Sequence, residues 1–140
     1  MSGKSTKAFL DANNIISGLL FKGNEATLLE LGRVKAIELV TNQYVMEEVS
    51  AVLIRREFSL TMGEVNTLIK YLHACVTVEE NPPKEAIHEN INLLEDKKDI
   101  PVALGAAHSG ADYLVTGDKE LLDKIPCSTT TARLLENVLP

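Results

Sequence analysis

The sequence predicts an α/β fold, a three-layer α/β/α sandwich in which helices cover both faces of a mostly parallel central sheet. Short apolar runs alternate along the chain with longer segments whose apolar residues recur every three or four positions. This alternation is characteristic of parallel strands joined by crossover helices. The length of 140 residues fits a single domain over residues 1–140, because chains of this size normally form one core.

Five strands are predicted from short apolar runs that end at polar or turn-forming residues. They cover residues 8–11, 37–40, 76–78, 113–116 and, as an edge strand, 126–130. The first run stops at Asp11, which is followed by asparagine, serine and glycine, the usual residues of a strand end. The second run stops at Thr41 and Asn42.

Helices are predicted between these strands from apolar residues at helical spacing. They cover residues 24–34, 44–58, a segment after Thr61, 84–95, 100–109, 120–123 and a segment from 132. Thr61 and Glu64 form a capping-box pattern at the start of the third helix. Pro101 is tolerated in the first turn of the helix over 100–109, and Gly110 is a suitable stop.

Composition excludes several classes of protein. No run approaches the roughly 18 to 20 apolar residues that cross a bilayer, and the first ten residues lack the apolar core of a signal peptide, so we expect a cytoplasmic protein. The net charge of −6 argues against a module that only binds the phosphate backbone. No glycine-rich phosphate loop is present, which argues against dinucleotide and nucleoside triphosphate chemistry.

Two aspartates follow predicted strands at the edge where α/β sheets bind ligands. Asp11 follows the run Ala-Phe-Leu, and Asp118 follows Tyr-Leu-Val-Thr by one glycine. The carboxyl ends of parallel strands meet at one edge, so both side chains are expected there. Each aspartate also stands where a helix begins, and a helix cap is the competing role.

Asp99 is placed to cap the helix over 100–109, and it shares a helical face with Ala103, Ala106 and Ala107. Small residues on that face would let the helix lie close to the sheet and bring Asp99 towards the strand ends. Asp96 falls in the charged run Glu-Asp-Lys-Lys-Asp, where a solvated loop residue is the expected role.

Glu48 is separated from its neighbour Glu47 by the helical wheel. At about 100° per residue, Glu48 lies between Ala51 and Val52 and flanks the apolar stripe, whereas Glu47 is opposite to it. An ion pair with Arg55 is the competing role for Glu48.

Several carboxylates at one edge predict a divalent cation, because like charges a few ångströms apart raise one another's pKa. Mg²⁺ or Mn²⁺ prefers oxygen ligands and retains waters, and such ions promote phosphodiester hydrolysis. Positive charge for a substrate would come from nearby cations, whose competing role is ordinary solubility. These are Arg55, Arg56, Lys97, Lys98 and Lys119.

Four segments together resemble the PIN domain, particularly the toxin components of toxin–antitoxin pairs. They are FLDANNIISGLL, YVMEEVSAVL, DIPVALGAAHSGADYLVTGD and KELL, and the likeness extends over nearly the whole chain. The resemblance implies a compact α/β sandwich, Mg²⁺- or Mn²⁺-dependent ribonuclease activity, frequent homodimers and a partner antitoxin protein.

Carried over by position, the resemblance assigns four carboxylates to metal binding and catalysis, Asp11, Glu48, Asp99 and Asp118. It also assigns Asn13 and Thr116 as hydrogen-bonding residues behind the carboxylates, with a turn-forming role as the alternative for Asn13. The third motif can also be matched at Asp96, and Asp112 is close in sequence. A PIN-like module that binds RNA or protein without cutting is the alternative function.

Overall fold

The computed structural model describes residues 5–139, which are built around a five-stranded sheet. The strands are β1 (Lys7–Leu10), β2 (Glu38–Asn42), β3 (Thr77–Glu79), β4 (Tyr113–Val115) and β5 (Ser128–Thr129). Their spatial order is β3-β2-β1-β4-β5, and each neighbouring pair is parallel. The predicted parallel sheet is therefore confirmed.

Eight α-helices within residues 5–139 connect and flank the strands. They are α1 (Ala12–Leu20), α2 (Asn24–Arg33), α3 (Gln43–Leu53), α4 (Met62–Cys75), α5 (Lys84–Glu89), α6 (Ile100–Ser109), α7 (Lys119–Lys124) and α8 (Thr131–Val138). Connections between parallel strands are right-handed, so those running from β1 to β3 and those leading back to β4 and β5 lie on opposite faces. This arrangement gives the predicted three layers.

The direction of the chain through the sheet reverses between β1 and β4. From β1 the chain moves outward to β2 and β3, then crosses back to β4 on the other side of β1 and moves outward to β5. The helices that leave two such neighbouring strands diverge to opposite faces and leave a crevice at the carboxyl ends of the strands. Residues after β1 and β4 therefore border this crevice.

The core is continuous across both faces of the central strands. Phe9 of β1 pairs in register with Val40 on one side and Leu114 on the other, and all three are buried. Ile15 of α1 is fully buried as well. Strands buried on both faces are apolar at successive positions, which explains why the central strands show no polar alternation.

The structure differs from the sequence prediction in three segments, the first of which has no predicted helix. Residues 12–20 form α1, although their asparagines and glycine have low helix propensity, because Ile15 and Ile16 pack into the core. The helix predicted over 44–58 ends at Leu53, where its apolar stripe ends, and a short 3₁₀ turn follows.

The helix predicted over 84–95 ends at Glu89. The carbonyl of Ala86 accepts from the side-chain amide of Asn90 at 2.8 Å as well as from its backbone nitrogen at 3.2 Å, and this local side-chain bond competes with continuation of the helix. The other predicted elements agree with the structure to within two residues, and the capping box of Thr61 and Glu64 is formed. Within residues 5–139 the longest apolar helices fall short of what a membrane crossing requires.

Helix α6 lies unusually close to the sheet. A β-carbon added at Gly105 would stand 2.5 Å from the amide nitrogen of Asn42 and 2.9 Å from Cζ of Phe9. The Asn42 amide also donates to the carbonyl of Pro101 at 3.2 Å. Of the alanines expected to face the sheet, Ala103 and Ala106 are buried but Ala107 is exposed, so Gly105 makes the closest approach.

We expect the substitution Gly105→Ala to destabilise the fold by about 1–3 kcal/mol, because the added methyl overpacks the contact with β1 and β2. Gly63→Ala in α4 is a matched control, since its new β-carbon would meet only Thr61 Oγ1 at 3.8 Å. Urea unfolding measures both. An equal effect of the two substitutions on the free energy of unfolding would contradict the close packing of α6.

Candidate metal centre

Asp11 is the most enclosed carboxylate at the crevice. It follows β1 directly and caps α1, and only 8% of its surface is exposed. Its Oδ1 accepts hydrogen bonds from the backbone nitrogen of Asn14 at 3.0 Å and from the Asn14 amide at 2.9 Å. Its Oδ2 accepts from the hydroxyl of Thr116 at 2.5 Å. Both carboxylate oxygens are therefore oriented by neutral donors.

Asn14 connects Asp11 to two further elements of the fold. Its amide nitrogen also donates to the carbonyl of Val115 at 3.1 Å, and its amide oxygen accepts from the hydroxyl of Thr131 at 2.7 Å. The sequence assigned this supporting role to Asn13, but the Asn13 side chain is exposed and has no hydrogen bond within residues 5–139. The difference follows from α1, whose capped first turn directs the third residue after Asp11 back to the carboxylate.

Thr116 lies between the two aspartates at the ends of β1 and β4. Only 1% of its surface is exposed. While its hydroxyl donates to Asp11, the same oxygen accepts from the backbone nitrogen of Asp118 at 3.0 Å. One hydroxyl thus fixes the relative positions of Asp11 and the backbone that carries Asp118.

Asp118 is a helix cap as well as a member of the cluster. Its Oδ1 accepts from the backbone nitrogen of Leu121 at 2.9 Å and begins α7. The second oxygen has no hydrogen-bond partner among residues 5–139. The two roles considered from the sequence are therefore compatible, since capping engages one oxygen and leaves the other available.

Asp99 differs from the other two because its carboxylate does not cap the helix that follows it. The side chain is half-buried and accepts no hydrogen bond at the start of α6. Asp96 takes the capping role instead, as its Oδ1 accepts from the backbone nitrogen of Lys98 at 3.0 Å in the 3₁₀ turn before α6. Asp96 is exposed, whereas Asp99 is half-buried.

Glu120 positions the segment that leads to Asp99. Its carboxylate accepts from the backbone nitrogens of Glu95 at 2.5 Å and Asp96 at 3.2 Å, and pairs with Lys124 at 2.8 Å. These hydrogen bonds join α7, which Asp118 begins, to the turn that precedes α6. The sequence gives no local signal for these hydrogen bonds, because Glu95 and Asp96 precede Glu120 by 25 and 24 residues.

Glu48 reaches the cluster from α3. The side chain is exposed, and its charge acts on Asp99 and Tyr44. The expected alternative, a pair with Arg55, is not formed, because Arg55 lies 4.0 Å from Glu57 instead. Glu48 thus stands at the solvent side of the crevice.

Asp112 lies at the opposite end of the sheet. Its Oδ2 accepts from the backbone nitrogen of Lys7 at 2.8 Å, and its own backbone nitrogen donates to the carbonyl of Lys7 at 2.8 Å. These residues begin β1 and precede β4, whereas the crevice is at the carboxyl ends of these strands. Asp112 is therefore separated from the cluster by the length of β4.

Burial and mutual repulsion both act on the carboxylates of the crevice, and burial is the larger cause. The pKa of Asp99 is raised to about 6. Burial is the largest cause, and the negative charges of four other carboxylates follow in the order Asp118, Asp96, Asp11 and Glu48. Burial also raises the pKa of Asp11, as does the charge of Asp118, whereas the hydrogen bonds from Thr116 and Asn14 lower it. No ion pair within residues 5–139 involves Asp11, Glu48, Asp99 or Asp118.

The donor set suits a hard cation with few protein ligands. In the described part of the chain, no group of three or more histidine, cysteine or acidic side chains is arranged so that it could hold a metal ion. A structural zinc ion requires four such ligands. Mg²⁺ usually binds through one or two carboxylates and keeps several waters, and Mn²⁺ also suits carboxylate and water ligands. The free oxygens of Asp99 and Asp118 fit such an ion.

The model of the PIN domain matches residues 7–120, so this chain belongs to the PIN-domain family, whose members are typically nucleases. The resemblance inferred from the sequence motifs is thereby confirmed. A search of functionally curated proteins gives no match.

Solved structures show the same fold at low sequence identity. PAE2754 from Pyrobaculum aerophilum is 19% identical, with a TM-score of 0.68 and 98% of both chains covered. A chain of VapBC2 from Rickettsia felis, solved bound to a DNA fragment from the promoter, is 17% identical, with a TM-score of 0.66. That alignment covers 89% of this chain and 97% of the other.

We expect Thr116→Val to cost about 1–3 kcal/mol of unfolding free energy, because it removes a buried hydroxyl that donates to Asp11 and accepts from Asp118. Thr129→Val is the matched control, since that buried strand hydroxyl makes only a 3.4 Å contact with the carbonyl of Thr130. Thermal or urea unfolding distinguishes the two. Equal costs would show that the hydroxyl of Thr116 has no special role.

We expect the crevice to make stability fall as pH rises in metal-free buffer. The pKa of Asp99 is about 6 in the folded protein, above the unfolded value, so its favourable contribution is complete below about pH 4 and is lost as pH rises through 6. Asp99→Asn should therefore stabilise the protein by roughly 1–2 kcal/mol at pH 7.5, allowing for solvent screening, and by nothing at pH 3.5. The exposed Asp123→Asn is the control, and a gain equal to that of Asp99→Asn at pH 7.5 would contradict the effect of burial and repulsion on Asp99.

Proposed function

We propose that this protein is a Mg²⁺- or Mn²⁺-dependent endoribonuclease that hydrolyses RNA phosphodiesters, and that it is the toxin of a toxin–antitoxin pair. Asp11, Glu48, Asp99 and Asp118 would hold the cation. The observation that carries the proposal is the Asp99 carboxylate, half-buried among other acids with neither a hydrogen bond nor an ion pair in the described chain.

A lone carboxylate in such surroundings is costly unless a cation is present. Within residues 5–139 no lysine or arginine forms an ion pair with these acids, and the donors around Asp11 are neutral. Membership of a family of nucleases supports the same conclusion. The proposal therefore rests on charge that the protein itself leaves unbalanced.

Each residue has a defined part in the proposed chemistry. When bound, the divalent ion would stabilise the negative charge that develops on the phosphate oxygens. Asp11 is oriented in advance by Thr116 and Asn14, and Asp118 by the first turn of α7. Glu48 projects from α3 on the solvent side, where RNA would arrive.

The partners belong to the same proposal. The chain's structural likeness to VapBC2 supports an antitoxin protein, and the exposed Phe21 and Met62, 62% and 65% exposed, supply apolar surface for protein contacts. The chain alone would form a homodimer and act in the cytoplasm, where its RNA is found. Light scattering on the purified chain tests the dimer, and a mass of one chain would contradict it.

We expect wild-type protein to cleave a structured RNA with Mg²⁺ or Mn²⁺ and not with EDTA, and Asp11→Asn and Asp118→Asn to lose at least a hundredfold in rate while remaining folded. Removal of a ligand weakens both the binding of the ion and its position. Asp112→Asn is the matched control, because this acid lies at the other end of the sheet, and its rate should equal that of the wild type.

Retained cleavage by Asp118→Asn, or cleavage in EDTA, would overturn the proposed mechanism. If the wild type cuts no RNA, titration calorimetry with Mn²⁺ examines the centre directly. Heat of binding in the wild type that is absent in Asp99→Asn would support the metal centre and indicate another substrate. Absence of heat in both would leave the non-catalytic binding module as the function.

A further inference from the structure

An open groove borders the candidate metal centre and follows α3 from Tyr44 in its first turn to Arg55 just beyond its last. It has a volume of about 400 Å³ and is lined by Tyr44, Glu47, Glu48, Arg55 and Lys98. Among its lining residues, Glu48 is a proposed metal ligand, and Lys98 immediately precedes Asp99 in the chain. The groove is therefore continuous with the centre rather than a separate site.

Two cations of the groove are available to an anionic ligand. Arg55 is 59% exposed in its side chain and its only ion pair within residues 5–139 is the long 4.0 Å contact with Glu57. Lys98 is exposed and forms no ion pair in the described chain. Its neighbour Lys97 is different, because the Lys97 ammonium donates to the carbonyls of Ile91 and Leu94.

Tyr44 is the aromatic residue of the groove. Its ring is partly buried at the start of α3, and its backbone nitrogen donates to the side chain of Asn81 at 2.8 Å. Burial raises its pKa, and the charges of Glu48, Asp99 and Asp96 raise it further, so the phenol is neutral at physiological pH. A neutral aromatic side chain thus lines the groove together with the two cations.

We propose that this groove is a nucleotide subsite, in which Tyr44 receives one unpaired base of single-stranded RNA while Arg55 and Lys98 bind the phosphates beside it. The proposal rests on the ribonuclease function and adds where the strand lies next to the cut. Grooves for single strands combine an aromatic platform with cations that follow the backbone, and this groove has both. Glu47 and Glu48 also line it, so anion binding depends on the placement of Arg55 and Lys98 rather than on net charge.

The geometry separates the cations that the sequence could not rank. Arg55 and Lys98 line the groove, whereas Arg56, Lys97 and Lys119 do not. Arg55 and Arg56 are adjacent, exposed and identical in charge. Their comparison therefore holds net charge constant and changes only position.

The test measures binding of a fluorescent eight-nucleotide single-stranded RNA by anisotropy in EDTA at several salt concentrations. We expect Arg55→Ala and Lys98→Ala each to weaken binding about fivefold to tenfold and to reduce the slope of log affinity against log salt by about 0.7. Arg56→Ala should leave both quantities near the wild-type values. Tyr44→Leu should weaken binding at least fivefold without changing the salt slope, and Tyr44→Phe should retain it.

The second part of the test measures binding of the same RNA after it has been annealed to its complementary strand. Because a paired base is not free to stack, Tyr44→Leu should have no effect on the duplex. Equal effects of Arg55→Ala and Arg56→Ala, or an equal loss from Tyr44→Leu on duplex and single strand, would overturn the subsite. Cleavage by the wild type that depends on Asp118 would leave the proposed nuclease standing in that case, so the two failures are distinguishable.

Discussion

Burial of carboxylates beside one another is the constraint that the rest of this structure accommodates. The acids meet where the strand order reverses, and the protein orients them with hydroxyls, an amide and backbone nitrogens instead of lysine or arginine. Neutral donors fix the position of a carboxylate without cancelling its charge. An internal ion pair would stabilise the metal-free fold, but it would neutralise the charge that a metal ion would otherwise balance. The choice of donors around Asp11 is therefore as informative as the acids themselves.

The position of Asp99 depends on contacts far from the crevice. Helix α6 approaches the sheet only because Gly105 has no side chain, Asn42 holds the carbonyl of Pro101, and Glu120 holds the preceding turn. Together these contacts restrain the helix at its middle and at its amino end. The Asp99 carboxylate can remain unpaired at the start of this restrained helix, since packing of α6, and not a hydrogen-bond donor, determines its position.

The sequence predicted the layers of the fold and the aspartates at the strand ends because both follow from local patterns. Asp11 ends one apolar run and Asp118 follows another by one glycine, and the parallel sheet brings the ends of such runs together. Helix α1 was not predictable in this way, since its asparagines and glycine disfavour a helix and only packing of Ile15 makes it one. The choice of Asn14 over Asn13 depends on that helix, and the contact of Glu120 depends on tertiary structure alone.

The hydrogen bond from Thr131 to Asn14 has a consequence for the comparison of related sequences. The family match ends at residue 120, yet Thr131 begins α8 and supports the amide that orients Asp11. The final helix is thus joined to the first aspartate through one shared side chain. In an alignment of relatives, residues at positions 14 and 131 should covary as donor and acceptor pairs, and an alignment trimmed to the common segment would remove that signal.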